Sequence, residues 1–89
     1  MGEIFGPAER LHAAVRRRAP RIAVSVVRDE EAGLSRVSVT YRGEGPRLIG
    51  WDGSSYTWHD GPYRGLSIGA DAEEVADCVA ATLGANRPH

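Results

Sequence analysis

The sequence predicts an α+β fold: an N-terminal helix, a five-stranded antiparallel meander sheet and a C-terminal helix, with both helices on one face of the sheet. Amphipathic helical patterns stand at both ends of the 89-residue chain, and β-branched residues alternate with polar ones between them. In the middle, Asp52-Gly53 separates two runs of strand-forming residues, which is typical of a two-residue hairpin. A chain of this length leaves no room for a second core, so we expect a single domain.

The two helices are predicted over residues 7–19 and 71–83. Pro7 suits the first helical position, and Pro20 ends the first pattern because the residue before a proline is disfavoured in the α conformation. Asp71 is expected to cap the last helix, and Gly84 is expected to stop it. The core-facing residues are predicted to be Ala8, Leu11, Val15 and Ala19 in the first helix, and Val75, Cys78, Val79, Thr82 and Leu83 in the last.

Five strands are predicted over residues 21–28, 35–42, 47–51, 54–59 and 63–68, with residues 43–46 as a turn. Counting outward from the Asp52-Gly53 turn pairs Trp51 with Ser54, Ile49 with Tyr56, and Arg47 with Trp58. The opposite face carries serine, threonine and arginine, so it is expected to face solvent or a partner. The predicted apolar face consists of Ile22, Val24, Val26, Val37, Val39, Tyr41, Ile49, Trp51, Tyr56, Trp58, Leu66 and Ile68.

The composition narrows the possible functions. A net charge of −1 gives no general attraction to nucleic acid or to a membrane surface. No apolar run approaches the ~20 residues of a membrane-spanning helix and no signal peptide is visible, so we expect a cytoplasmic protein. The single cysteine, Cys78, excludes an internal disulfide and is expected to lie in the core. The 11 arginines and the absence of lysine favour a GC-rich bacterial genome as the source.

No motif in the chain specifies catalysis. His59-Asp60 combines a histidine with a carboxylate, but no nucleophile motif surrounds the serines at 54 and 55, and a solvated histidine beside a turn is the simpler interpretation. The histidines at 12, 59 and 89 match no metal-ligand spacing. We therefore expect a non-enzymatic protein with no catalytic residue, no metal site and no cofactor.

Charge is divided between the two helices. The first helix and its exit hold five arginines against one glutamate, and the last helix holds four carboxylates. The simplest interpretation is that the helices lie side by side and pair their charges. One alternative is a nucleic-acid-associated protein, since an arginine-rich helix is able to contact phosphates, and another is an acidic protein partner. The arginines in question are Arg16, Arg17, Arg18 and Arg21.

Aromatic residues cluster along the middle hairpin. Trp51, Tyr56 and Trp58 are expected to form the core, and any part that the helices leave uncovered is expected to mark an interface. A third hypothesis is a small-molecule pocket near Trp58 and His59.

Two features resemble known families. The segment from Trp51 to Trp58, followed by a short strand and by the helix from Ala72 to Ala80, resembles small domains of uncharacterised function from Streptomyces-type actinobacteria. In those domains a tryptophan-containing hairpin precedes a final helix with an acidic face. The order of helix, sheet and helix is also similar to that of secretion-chaperone-like domains, which implies a dimeric protein binder by analogy of fold.

The sequence thus favours a protein-interaction or regulatory module that pairs with itself as a homodimer or binds another protein. Nucleic acid is the less favoured partner, and no membrane is expected. The candidate interaction residues are Arg16, Arg17, Arg18, Arg21, Trp51, Tyr56, Trp58 and His59.

Overall fold

The computed structural model describes residues 6–29 and 33–85 and contains two helices and one antiparallel sheet of five strands. The strands are neighbours in chain order, so the sheet is a meander and the predicted fold class is confirmed. The elements are α1 (Pro7–Arg18), β1 (Ala23–Asp29), β2 (Leu34–Tyr41), β3 (Glu44–Trp51), β4 (Tyr56–Trp58), β5 (Ser67–Gly69) and α2 (Ala72–Leu83).

Both helices pack on one face of the sheet, called here the helix face. Leu11 and Val15 of α1 are fully buried against it, together with Val37, Val39 and Ile49 from the central strands. The other face, called the open face, has no described element over it. Two residues predicted on the apolar face of the sheet are exposed: Val26 remains 37% exposed and Leu66 remains 56% exposed.

The packed side of α2 differs from the prediction. Val75, Val79 and Leu83 are buried as expected, but Cys78 and Thr82 are exposed. Their places are taken by two small residues, Ala76 and Ala80, which are almost wholly inaccessible. The reason is that α2 packs against α1 as well as against the sheet, and alanines allow two helix backbones to approach closely. The prediction that Cys78 lies in the core was therefore wrong.

β3 begins earlier than predicted because the chain turns at Arg42-Gly43 rather than at residues 43–46. Arg42 has a φ of 56°, which is uncommon for a residue with a side chain. The ladder between β2 and β3 then shifts between its Tyr41–Glu44 and Val39–Arg47 pairs. Pro46 lies at this bulge, where the missing N–H of proline does not cost a ladder hydrogen bond.

The central hairpin has a longer loop than the sequence predicted. Trp51 pairs with Tyr56 and Ile49 pairs with Trp58, so the register differs from the predicted one by two residues. The Asp52 carboxylate accepts hydrogen bonds from the backbone N–H groups of Ser54 and Ser55, at 2.9 and 2.8 Å. These bonds hold a four-residue loop and lower the pKa of Asp52. Because side chains alternate with a period of two, the shift leaves every residue on its predicted face.

The last strand is shorter than predicted. Residues 63–65 form a turn, closed by a hydrogen bond from the Leu66 N–H to the Tyr63 carbonyl at 3.0 Å. Gly61 and Gly65 both have positive φ in this segment, which is incompatible with a continuous strand. The strand that pairs with β4 is therefore confined to Ser67–Gly69, and the turn before it is joined to Trp58 by backbone hydrogen bonds at Gly65 and Leu66.

One side-chain hydrogen bond ties α1 to the sheet. Tyr56 is 3% exposed, and its hydroxyl donates to the Pro7 carbonyl oxygen at 2.6 Å. This contact joins the first turn of α1 to β4, two elements far apart in the chain.

We expect Tyr56→Phe to lower the free energy of unfolding by about 1 kcal/mol, because it removes this buried hydrogen bond and keeps the ring. Urea unfolding followed by circular dichroism measures the change. Tyr41→Phe is the matched control, since the Tyr41 hydroxyl has no hydrogen bond within the described residues. Equal losses of unfolding free energy in Tyr56→Phe and Tyr41→Phe would contradict the hydrogen bond between Tyr56 and Pro7.

Candidate functional site

A cleft lies between α1 and the N-terminal end of α2, above β3 and β4. Its volume is about 350 Å³, near the lower end of the range for small-molecule sites. It is called here the interhelical cleft, and it is lined by Pro7, Arg10, Ala13, Arg17, Trp51, Tyr56, Ala70, Asp71, Ala72 and Glu73.

The floor of the interhelical cleft is aromatic. Trp51 and Tyr56 meet edge to face, with ring centroids 4.8 Å apart and planes at 64°. Tyr56 is buried, and burial raises the pKa of its phenol. Trp51 is only half-buried, so part of its ring remains available to a molecule in the cleft.

The charges on the rim of the cleft have different partners. Arg17 pairs with Glu73 and closes one end. Asp71 caps α2 by accepting a hydrogen bond from the Glu74 N–H at 3.2 Å. The Arg10 guanidinium makes no ion pair within residues 6–29 and 33–85. Arg10 and Asp71 both line the cleft and both act electrostatically on Tyr56, so charges of opposite sign lie near the aromatic floor.

A second group of charges joins the two helices along their outer side. Arg18 binds Asp77 with two hydrogen bonds, at 2.8 and 3.0 Å, and reaches Glu73 at 3.3 Å. The hypothesis that the two helices pair their opposite charges is thus confirmed. The side chains are 40–59% exposed, so these bonds orient the helices more than they stabilise the fold.

The four arginines predicted as a phosphate-binding group are not gathered on one surface. Arg17 and Arg18 turn toward the carboxylates of α2. Arg16 lines a shallow groove on the other side of α1, with Pro20, Ile22 and Val24. Arg21 is exposed in the turn before β1.

The aromatic residues are also divided. Trp58 is 6% exposed within the core, whereas His59 is exposed beyond the end of β4. The interhelical cleft lies at Trp51 and Tyr56 instead. Asp60 accepts a hydrogen bond from the Gly61 N–H at 2.7 Å, which is typical of a turn-forming residue. This agrees with the interpretation of His59 as a solvated histidine beside a turn.

The cleft combines residues whose joint role has no signal in the sequence. Arg10, Ala13, Trp51 and Asp71 come from three separate elements, and their spacing along the chain forms no motif. The only sequence signal among these residues is the helical period, which places Pro7, Arg10 and Ala13 on one side of α1.

No group of three or more metal-ligating side chains occurs in the described part of the chain. Neither described helix is long and apolar enough to cross a membrane. No protein-family model, no curated protein and no solved structure matches this chain. The two family resemblances given above therefore stay predictions, and the function is argued from geometry.

The Arg18–Asp77 pair should make stability depend on pH. The hydrogen bond from Arg18 lowers the pKa of Asp77 in the folded state below its ordinary value of 3.8. A lowered folded-state pKa means that the pair stabilises the fold above that ordinary value, and that the benefit disappears as pH falls through the folded-state pKa. We expect Asp77→Asn to destabilise the protein at pH 7 and to have little effect at about pH 2. Urea unfolding at both pH values measures this.

Arg18→Gln supplies the control for this pair. In that background Asp77→Asn should change stability little at either pH, because the partner is already absent. A cost of Asp77→Asn that is equal at pH 7 and at low pH would contradict the ion pair.

The exposed position of Cys78 predicts a thiol that reacts without unfolding. A chromogenic disulfide reagent should titrate one thiol in the native protein, at a rate close to that in denaturant. Cys78→Ser should change the free energy of unfolding by less than about 0.5 kcal/mol. If Cys78 reacted only after unfolding, its exposed position would be contradicted and the predicted core position would be supported.

Proposed function

We propose that this chain is a non-enzymatic protein-interaction module that forms a homodimer, in which β1 pairs antiparallel with β1 of a second copy. The observation that carries the proposal is the outer edge of β1. This strand ends the sheet, and its outward N–H and C=O groups have no neighbouring strand.

The β1 edge has the features of a template for strand addition. It runs for seven residues in unbroken register with β2, from the Ala23–Thr40 pair to the Asp29–Leu34 pair. No charged residue, proline or bulge interrupts residues 23–27, although these are the usual devices that protect an edge. Val26 and Val27 are 37% and 42% exposed, on opposite faces of the sheet.

The opposite edge of the sheet lacks these features. β5 has three residues, and its pairing with β4 is irregular between Tyr56 and Thr57. An edge so short is a poor template. A chain with one competent edge forms a closed pair with two-fold symmetry, whereas two competent edges would allow continued growth.

An added strand would place its side chains against both sides of β1. On the helix face it would cover Val26, which is 37% exposed, and meet a mostly polar groove of about 290 Å³ along Arg16, Pro20, Ile22 and Val24. On the open face, Val27 is diagonal to Leu34 across the β1–β2 ladder, and the two are 42% and 51% exposed. Strand pairing would therefore bury apolar side chains as well as satisfy backbone groups.

The test is the mass in solution as a function of concentration. Sedimentation equilibrium should give a species of twice the 9.6 kDa chain mass. Ser25→Lys combined with Val27→Lys should raise the dimer dissociation constant at least ~10-fold, because it places four like charges on two adjacent strands. Both positions are exposed, so the monomer should still fold.

The matched control is Leu66→Lys combined with Ala81→Lys, which adds the same charge at exposed positions away from β1. This control should dimerise like the parent chain. Hydrogen exchange should show β1 amides that become protected as concentration rises. A chain that stays monomeric at millimolar concentration would refute the proposal, and a dimer insensitive to the β1 lysines would refute the edge pairing.

A further inference from the structure

We propose that the interhelical cleft binds a small aromatic amino acid in its zwitterionic form. The aromatic floor takes the ring, Arg10 takes the carboxylate, and Asp71 takes the ammonium group. The inference depends on the side chains around this cavity and not on dimerisation, since the cleft lies over β3 and β4 and the β1 edge is at one end of the sheet.

The aromatic floor favours a planar apolar group. Trp51 is half-buried and held by its edge-to-face contact with Tyr56, so its ring is fixed in place before a ligand arrives. Aromatic rings prefer to stack or to meet at an edge, and Trp51 offers this kind of contact. Ala13, Ala70 and Ala72 form small walls that leave room for a ring.

Arg10 provides the group that recognises a carboxylate. Its planar guanidinium matches two carboxylate oxygens, and within the described ranges no acidic side chain pairs with it. The other arginine of the cleft, Arg17, is already bound to Glu73. At the N-terminus of α2 the Asp71 carboxylate repels a second carboxylate, so a ligand carboxylate is directed to Arg10 instead.

Asp71 provides the complementary site for a cation. Its cap to the Glu74 N–H uses one of several acceptor positions on the carboxylate, which leaves the others for an ammonium group. Arg10 and Asp71 both lie close enough to Tyr56 to influence its ionisation, yet they do not form an ion pair with each other. Two opposite charges that line the same aromatic cleft and are not paired with each other suit a zwitterion better than a simple anion or cation.

The test follows the two indole N–H signals of the protein by nuclear magnetic resonance during titration with L-phenylalanine. We expect the Trp51 signal to shift in a saturable way, while that of Trp58, which is buried in the core, stays unchanged. Trp51→Phe assigns the two signals. 3-Phenylpropionate lacks the ammonium group, 2-phenylethylamine lacks the carboxylate, and L-alanine lacks the ring. Each should bind at least ~10-fold more weakly than L-phenylalanine.

Two charge-removing variants test the two ends of the ligand. Arg10→Gln should weaken L-phenylalanine at least ~10-fold, whereas Arg16→Gln, on the same helix but outside the cleft, should not. Asp71→Asn should also weaken it, while α2 stays capped because asparagine is an equally good N-cap. Asp71→Asn should leave the affinity for 3-phenylpropionate the same or higher.

Several results would overturn the proposal. A Trp51 signal that does not shift up to the solubility limit of L-phenylalanine would exclude the site. Equal affinity for 2-phenylethylamine, or unchanged binding in Arg10→Gln, would show that the carboxylate is not recognised. Because the titration reports ligand binding at Trp51, its outcome is independent of the mass measured for the β1 dimer.

Discussion

The structure depends on keeping the large apolar side chains of the middle hairpin on the side of the sheet that the helices cover. Ile49, Tyr56 and Trp58 are nearly inaccessible to solvent, and the helices are the only described elements that cover them. Side chains on a strand alternate in direction, so a register slip of one residue would turn the large apolar side chains of the slipped strand toward solvent. A slip of two residues keeps them inside. Burial therefore fixes the face that each hairpin side chain occupies more strongly than it fixes the register of the two strands.

This difference explains what the sequence was able to predict. The face of each strand residue followed from alternation, and the buried side of α1 followed from the helical period. The register did not follow, because Asp52-Gly53 supports a two-residue turn as well as the observed loop. The hydrogen bonds that the Asp52 carboxylate accepts from the amides of Ser54 and Ser55 become visible only in three dimensions. Cys78 was misplaced for a related reason, since its exposure depends on how closely α2 approaches α1.

The candidate cleft was less predictable than the fold. Periodicity identifies which residues face a core, but a cavity forms where packing is incomplete, and that depends on the relative position of whole elements. The pairing of the two helices through Arg17, Arg18 and the carboxylates of α2 was foreseeable from their opposite charge. The sequence did not show that Arg10 would have no ion-pair partner among the described residues, because this depends on where α2 begins relative to α1.

The two proposed sites share a common origin in the one-sided architecture. Two helices of 12 residues each cover part of a five-stranded sheet, so surface is left over at the margins of the covered area. At one margin, the β1 edge leaves Val26 exposed on the helix face and Val27 exposed on the open face, beside the same unpaired backbone. At the other, the gap between α1 and the start of α2 exposes part of Trp51. Filling the gap with larger residues at Ala13 or Ala72 would close the cleft and leave β1 unchanged, so the fold allows the two surfaces to evolve separately.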